Sequence, residues 1–164
     1  MQEKTYTVQE FIEECLIADI GKLKSEYPYF AFLLLATGIE FLGKCQNNNA
    51  DWQTTGQSES DFNTGLSLFP PKYQGMDLYN NLRCGLAHAF IPDKGLRLSD
   101  VKGQDNTVLS CEEFYDDFKA ACNKVLSGQV AMPVKKLSDP FMVVKDDGEI
   151  GTSGGTSPTQ SISQ

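Results

Sequence analysis

The chain has 164 residues, 40% of them hydrophobic and 10% aromatic, which is the size and composition of one ordinary globular domain. Its 14 Lys and Arg against 22 Asp and Glu give a net charge of −8, which argues against general binding to double-stranded DNA or to an anionic membrane. The longest apolar run, residues 30–36, is shorter than the roughly 20 residues that span a bilayer, and we expect a cytoplasmic protein.

Two helices are predicted at the start of the chain. Thr7 and Glu10 have the spacing of a capping box, and apolar residues then recur at intervals of three and four, which predicts an amphipathic helix. Pro28 suits the first turn of a second helix that reaches about Cys45. This second helix is apolar on almost every face, so we expect it at the centre of a helical bundle.

A polar stretch, residues 46–60, separates these helices from the next ones and predicts a long loop. A short helix is predicted over residues 60–69, and Pro70 and Pro71 end it. The pattern over residues 76–90 predicts another helix, whose core side carries Leu78, Leu82, Leu86 and Ala89.

The following segment alternates between turn and strand patterns. Residues 96–101 and 107–109 are predicted strands, and residues 102–106 would join them into a β-hairpin. A last helix is predicted from Ser110, which has Glu113 three residues later, to Gly128.

The expected fold is therefore all-α, an antiparallel helical bundle with a small β-hairpin after the fourth predicted helix. We expect residues 1–128 to form the bundle and residues 129–150 an extended segment with a possible small hairpin over residues 141–148. The composition of residues 151–164, rich in Gly, Ser and Thr, is typical of a disordered tail.

The cysteines and the single histidine form no recognisable metal or disulfide pattern. The cysteines are odd in number and include no CxxC pair: Cys15, Cys45, Cys84, Cys111 and Cys122. We expect reduced and partly buried thiols, no metal ion and no cofactor.

Unusual chemistry is confined to the segment LYNNLRCGLAHAF, which contains Arg83 and His88. An Arg offers a permanent, forked donor to phosphate oxygens, and a His can transfer a proton near neutral pH. Together they suit phosphodiester chemistry without a metal ion. On an ideal helix they lie about 140° apart and are not stacked, but both can still border one groove, especially if the helix loosens at Gly85 or ends just after His88.

This segment, the preceding polar loop and the helix end GIEFLGKC resemble the HEPN superfamily over residues 8–127. The hallmark of that family is an Arg, four to six residues and then a His, late in a bundle helix. The resemblance implies a homodimer in which two copies of this helix line a cleft, the site of a metal-independent endoribonuclease in active members. Arg83 would then bind or polarise the scissile phosphate, and His88 would assist proton transfer during attack by the RNA 2′-hydroxyl.

Three neighbouring residues are candidates for substrate binding: Asn80, Asn81 and Cys84. Toxin-type family members imply an RNA substrate and an antitoxin-like protein partner. Cys84 stands where family ribonucleases usually have a polar residue, and Phe90 stands where nucleotidylated members have a Tyr.

Two alternatives to the ribonuclease stay open. Cys84 and the acidic charge favour a non-catalytic HEPN-like module that binds a nucleotide or a protein, and the helix face could also be a plain dimer seam. Glu40 lies in the apolar second helix, where a buried carboxylate needs a partner. An ion pair from Glu40 to Arg83 would hold the guanidinium for packing instead of RNA.

Overall fold

The computed structural model describes residues 2–93, 95–100 and 108–146, with the side chains of residues 2, 3 and 143–146 left out. The structure is mostly helical, and a helical bundle fits it coarsely. The predicted loop 102–106, residues 147–148 of the second predicted hairpin and the tail 151–164 lie outside the described residues.

Helix α1 consists of three consecutive stretches, α-helical Val8–Glu10, π-helical Phe11–Asp19 and α-helical Ile20–Glu26. Thr7 caps it as predicted. The Thr7 hydroxyl accepts a hydrogen bond from the Glu10 backbone N–H, and the Glu10 carboxylate accepts one from the Thr7 backbone N–H at 2.8 Å. The capping box is therefore confirmed.

Helix α2, Pro28–Gln46, is the central helix and carries much of the buried core. Among the described helices it alone is long and apolar enough to cross a membrane, with a mean hydropathy of 1.2. However, 61% of that stretch is buried within the protein, as is typical of a core helix.

Helix α3, Ser58–Leu66, packs directly on α2 because two glycines let the backbones touch. A Cβ atom at Gly43 would overlap the carbonyl of Asp61, and one at Gly65 would overlap the carbonyl of Ile39. This close approach places the intervening polar loop over the carboxyl end of α2.

Helix α4 carries the Arg–His segment and consists of π-helical Tyr79–Cys84 and α-helical Gly85–Ala89. Its predicted core residues Leu78, Leu82 and Leu86 are buried, whereas Ala89 is exposed. The helix ends at Phe90, which has a left-handed backbone with φ 55°.

Helix α5, Cys111–Leu126, closes the bundle and starts as predicted. The Ser110 hydroxyl accepts a hydrogen bond from the Glu113 backbone N–H, and Phe114 and Phe118 are fully buried.

The predicted hairpin of residues 96–109 is wrong in the direction of its strands. Strand β2, Arg97–Ser99, runs parallel to strand β3, Val108–Ser110, so the pair is not a hairpin. Alternation along the sequence indicates a strand but not its direction relative to a partner, and the connection 100–107 is too long to impose an antiparallel turn.

The carboxyl-terminal strand pairs with the opposite end of the chain. Strand β4, Pro140–Asp146, is antiparallel to strand β1, Gln2–Thr7. The Val8 backbone N–H also donates to the Asp139 carbonyl at 3.0 Å. The segment after residue 128 is therefore packed on the bundle as far as β4.

Candidate functional site

The Arg83 guanidinium forms an ion pair with Glu40 of α2. Its Nε and Nη2 atoms lie 2.9 and 2.8 Å from the same carboxylate oxygen, Oε2. The Arg83 side chain is 21% exposed and that of Glu40 is 10% exposed. The pairing predicted as an alternative for Arg83 is thus present, and one edge of the guanidinium is already bound.

Glu40 holds two further partners. The Ser58 hydroxyl donates to Oε2 at 2.8 Å, and the Lys44 ammonium lies 3.2 Å from Oε1. Burial alone would raise the pKa of Glu40, but the Ser58 hydrogen bond and the charges of Arg83 and Lys44 lower it below its ordinary value of 4.5. The carboxylate is therefore ionised at neutral pH and joins two cations.

A cleft of about 450 Å³ opens beside this ion cluster. Its polar lining combines two cations with one carboxylate, and its apolar lining comes from three aromatic rings and a methionine. The full set is Thr37, Glu40, Phe41, Lys44, Trp52, Gln53, Arg83, Phe141 and Met142. We call it the Arg83 cleft.

The aromatic wall of the Arg83 cleft comes from three separate parts of the chain. Phe41 of α2 stacks on Trp52 of the polar loop, with ring centroids 5.1 Å apart and an interplanar angle of 8°. Phe141 of β4 meets Trp52 edge-on at 4.8 Å. The cleft thus exists only when the loop and the last strand are packed on α2.

His88 lies on a different surface. It is exposed and lines a second cleft of about 520 Å³, the His88 cleft, with Asn80, Cys84, Gly85, Ala89, Ile91, Pro92 and Asp93. Among the described residues, the two clefts share no lining residue. Within a single chain Arg83 and His88 thus line different clefts, because the α-helical residues after Cys84 turn the two side chains well apart.

The other candidate residues divide in the same way. Asn80 and Cys84 line the His88 cleft, and the Asn80 amide donates to the Asp77 carboxylate at 2.9 Å. Asn81 lines neither of these clefts. Its amide donates to the Met76 carbonyl at 3.0 Å, and its backbone carbonyl accepts from the Asp93 N–H at 2.8 Å, which holds the turn after α4.

Seven residues that line the Arg83 cleft were not predicted as site residues from the sequence: Thr37, Phe41, Lys44, Trp52, Gln53, Phe141 and Met142. Two signals were present. Lys44 follows Glu40 at the i,i+4 spacing of a helical ion pair, and Trp52 is the one large apolar residue in the polar loop. The contribution of Phe141 depends on the long-range pairing of β4 and has no local signal.

The described cysteines are all free, and no three His, Cys, Asp or Glu side chains of the described residues come together as a metal-binding group. The chain matches no protein-family model, no curated protein and no solved structure. The indications of function therefore lie in the geometry of the two clefts.

Proposed function

We propose that this chain is a non-catalytic HEPN-like module, an antiparallel helical bundle that binds a nucleotide in the Arg83 cleft. The observation that carries the proposal is the position of Arg83. It lines an aromatic cleft together with Lys44, while His88 lines another one. A phosphate-binding group and a proton-transferring group that do not share a cleft favour binding over catalysis.

The charges of the Arg83 cleft suit an anion. Arg83 and Lys44 supply two positive charges and Glu40 one negative charge, which leaves a local excess of one positive charge in a chain of −8. The Glu40 ion pair uses the Nε–Nη2 edge of the guanidinium, so the Nη1 side of the fork is not engaged by that carboxylate. A phosphate would bind there and to the Lys44 ammonium.

The apolar wall suits a nucleobase. Aromatic side chains contact bases without strong sequence preference, and Trp52 and Phe141 lie on the same cleft as the two cations. A cleft of about 450 Å³ lies in the range of small-molecule sites.

The test uses Trp52, the only tryptophan of the chain, as an internal reporter. Nucleoside monophosphates titrated into the protein should change its fluorescence and raise its melting temperature. Lys44→Met should weaken this response while it keeps the Arg83–Glu40 ion pair, and Lys119→Met, an exposed lysine of α5, is the matched control. The absence of a response, or an equal response in the Lys44 and Lys119 variants, would overturn the proposal.

A metal-independent endoribonuclease is the second candidate, favoured by the exposure of both motif residues. His88 is exposed, and the Arg83 side chain, which lines its own cleft, is 21% exposed. In a homodimer, His88 of one copy would approach Arg83 of the other. The cytoplasmic setting and the antitoxin-like partner expected from the sequence belong to this candidate.

A mixing experiment tests this second candidate. Cleavage of a mixed RNA pool in EDTA should be lost in Arg83→Ala and in His88→Ala. When the two variants are refolded together, half of the dimers are mixed and each contains one intact Arg–His combination across subunits, so about a quarter of the activity should return. No cleavage by the wild type, or cleavage that survives both substitutions, removes the candidate.

A further inference from the structure

Lys135 is a buried lysine in the segment between α5 and β4. The residue is 2% exposed, and three oxygen atoms surround its ammonium group. Nζ donates to the Lys44 carbonyl and to Asn47 Oδ1, both at 2.8 Å, and to the Asn49 carbonyl. All three acceptors come from one stretch of chain, the last turn of α2 and the start of the polar loop.

This stretch has a repeating backbone conformation. The side-chain oxygens of Asn47, Asn49 and Asp51 each accept a hydrogen bond from the backbone N–H two residues later. Successive turns of this kind curl the chain and use up its N–H groups, so that its oxygens remain for a cation. Oxygen-bearing side chains at alternate positions are also how calcium-binding loops surround their ion. Here an ammonium group of the same chain lies among the oxygens.

Stability alone does not account for a lysine in this position. Burial lowers the pKa of Lys135, which means that the folded protein bears a cost for keeping the charge out of water. An apolar side chain of similar length would avoid this cost. However, an apolar side chain could not donate hydrogen bonds to the carbonyl at the end of α2 or to the oxygens of the loop.

The loop that Lys135 binds also forms a wall of the Arg83 cleft. Nζ of Lys135 lies 4.8 Å from the centroid of the Trp52 ring. Trp52 is the middle residue of the third repeating turn, and its backbone carbonyl accepts a hydrogen bond from the Lys44 ammonium at 3.5 Å. Lys135 thus contacts both the backbone and the ring that shape this side of the cleft.

We propose that the Lys135 ammonium acts as a built-in cation around which residues 44–53 fold, and that it thereby positions Trp52 in the Arg83 cleft. Lys135 is a positioning residue and does not line the cleft itself. The carboxyl-terminal segment consequently controls the cleft in two ways, through Lys135 and through Phe141 of β4. This inference concerns the architecture of the loop and does not depend on which ligand the cleft binds.

The test measures the solvent access of Trp52 in the folded protein without any ligand. Lys135→Met keeps most of the side-chain stem and removes the charge and donors, whereas Lys136→Met makes the same change at the exposed neighbour. The acrylamide quenching constant of Trp52 should be at least about two-fold higher in Lys135→Met than in Lys136→Met, because the loop loses the ammonium group that orders it. Equal quenching in the two variants would overturn the proposal.

Chemical rescue distinguishes a cation from a space-filling group. In Lys135→Ala, n-propylammonium should return Trp52 quenching towards the wild-type value, since it supplies both the three missing carbons of the stem and an N–H-bearing head. Tetramethylammonium at the same concentration carries the charge but no donor, and it should fail. Equal rescue by both ions, or by neither, would contradict the role proposed for the ammonium group.

A third variant keeps the proposal testable if the Lys135 variants do not fold. Asn47→Ala removes one of the three acceptors, together with the first of the repeating turns, and leaves the lysine in place. Increased quenching of Trp52 would support the proposal, and unchanged quenching would overturn it. Because no nucleotide is present, failure here is distinct from failure of nucleotide binding.

Discussion

Removing Glu40 should destabilise the protein more than removing Arg83, although the two residues form one ion pair. Glu40 binds the Ser58 hydroxyl, Arg83 and Lys44, so Glu40→Ala leaves two half-buried cations and one hydroxyl without this acceptor. Arg83→Ala removes only one of three partners, and the carboxylate keeps the other two. The asymmetry follows directly from the number of partners on each side.

The magnitudes follow from general values for such contacts. Breaking a buried ion pair by removing one partner costs about 3–5 kcal/mol, and the partial exposure of Arg83 and Lys44 places Glu40→Ala at the lower end, about 3 kcal/mol. Loss of a hydrogen bond to a charged group costs about 1.5–3 kcal/mol, and Arg83→Ala should cost about 1.5 kcal/mol because Glu40 remains paired. The coupling between the two substitutions should be about 1 kcal/mol.

Urea unfolding, followed by Trp52 fluorescence, measures the free energy of unfolding of both single variants and of the double variant. Lys119→Ala, an exposed position on α5, serves as a control for loss of a surface charge. A cost for Arg83→Ala that equals or exceeds the cost for Glu40→Ala would refute the reasoning. A coupling free energy between the two substitutions below about 0.3 kcal/mol would also refute the reasoning, because the effects of independent sites add to within about that amount.

Three further predictions concern packing, pH and thiol reactivity. Gly43→Ala should cost about 3 kcal/mol or more in thermal unfolding, because its Cβ overlaps the α3 backbone, whereas Gly75→Ala, with open space around it, should leave the melting temperature unchanged. The lowered pKa of Glu40 means that its stabilisation is present above its ordinary value of 4.5 and is lost as the pH falls through the folded-state value. The wild type should therefore lose more stability than Glu40→Gln on acidification from pH 6 to about pH 3, and parallel urea curves for the two would contradict this. Iodoacetamide should label Cys84, which lines a cleft, before Cys45, because burial raises the pKa of Cys45 to about 12, and peptide mapping that finds equal rates would exclude this order.

The helices and their caps could be read from the sequence because their causes are local. The Thr7 and Ser110 caps act over three residues, and the apolar periodicity of α1 and α5 reports directly which face is buried. Strands β2, β3 and β4 were located approximately in the same way, whereas β1 was not predicted. Their partners were not, because the residues that bond to β1 lie at the other end of the described chain.

The candidate site shows the same division. The types and spacing of Arg83 and His88 were visible in the sequence, and so was the need of Glu40 for a buried partner. The separation of Arg83 and His88 by about 140° on a helix was visible as well. The other residues that line the Arg83 cleft were not, since those come from distant parts of the chain. The burial of Lys135 could not be predicted from the sequence, because a lysine in a polar segment is ordinarily exposed.

By itself, then, the sequence determined a mainly helical protein with a hydrophobic central helix, defined helix starts and an Arg–His segment near the end of α4. These features arise from neighbours within one or two helical turns. The tertiary structure decided that Arg83 pairs with Glu40, that Trp52 and Phe141 meet beside it, and that Lys135 enters the loop at the end of α2. Those contacts join residues far apart in the chain, and long-range packing alone selects such partners.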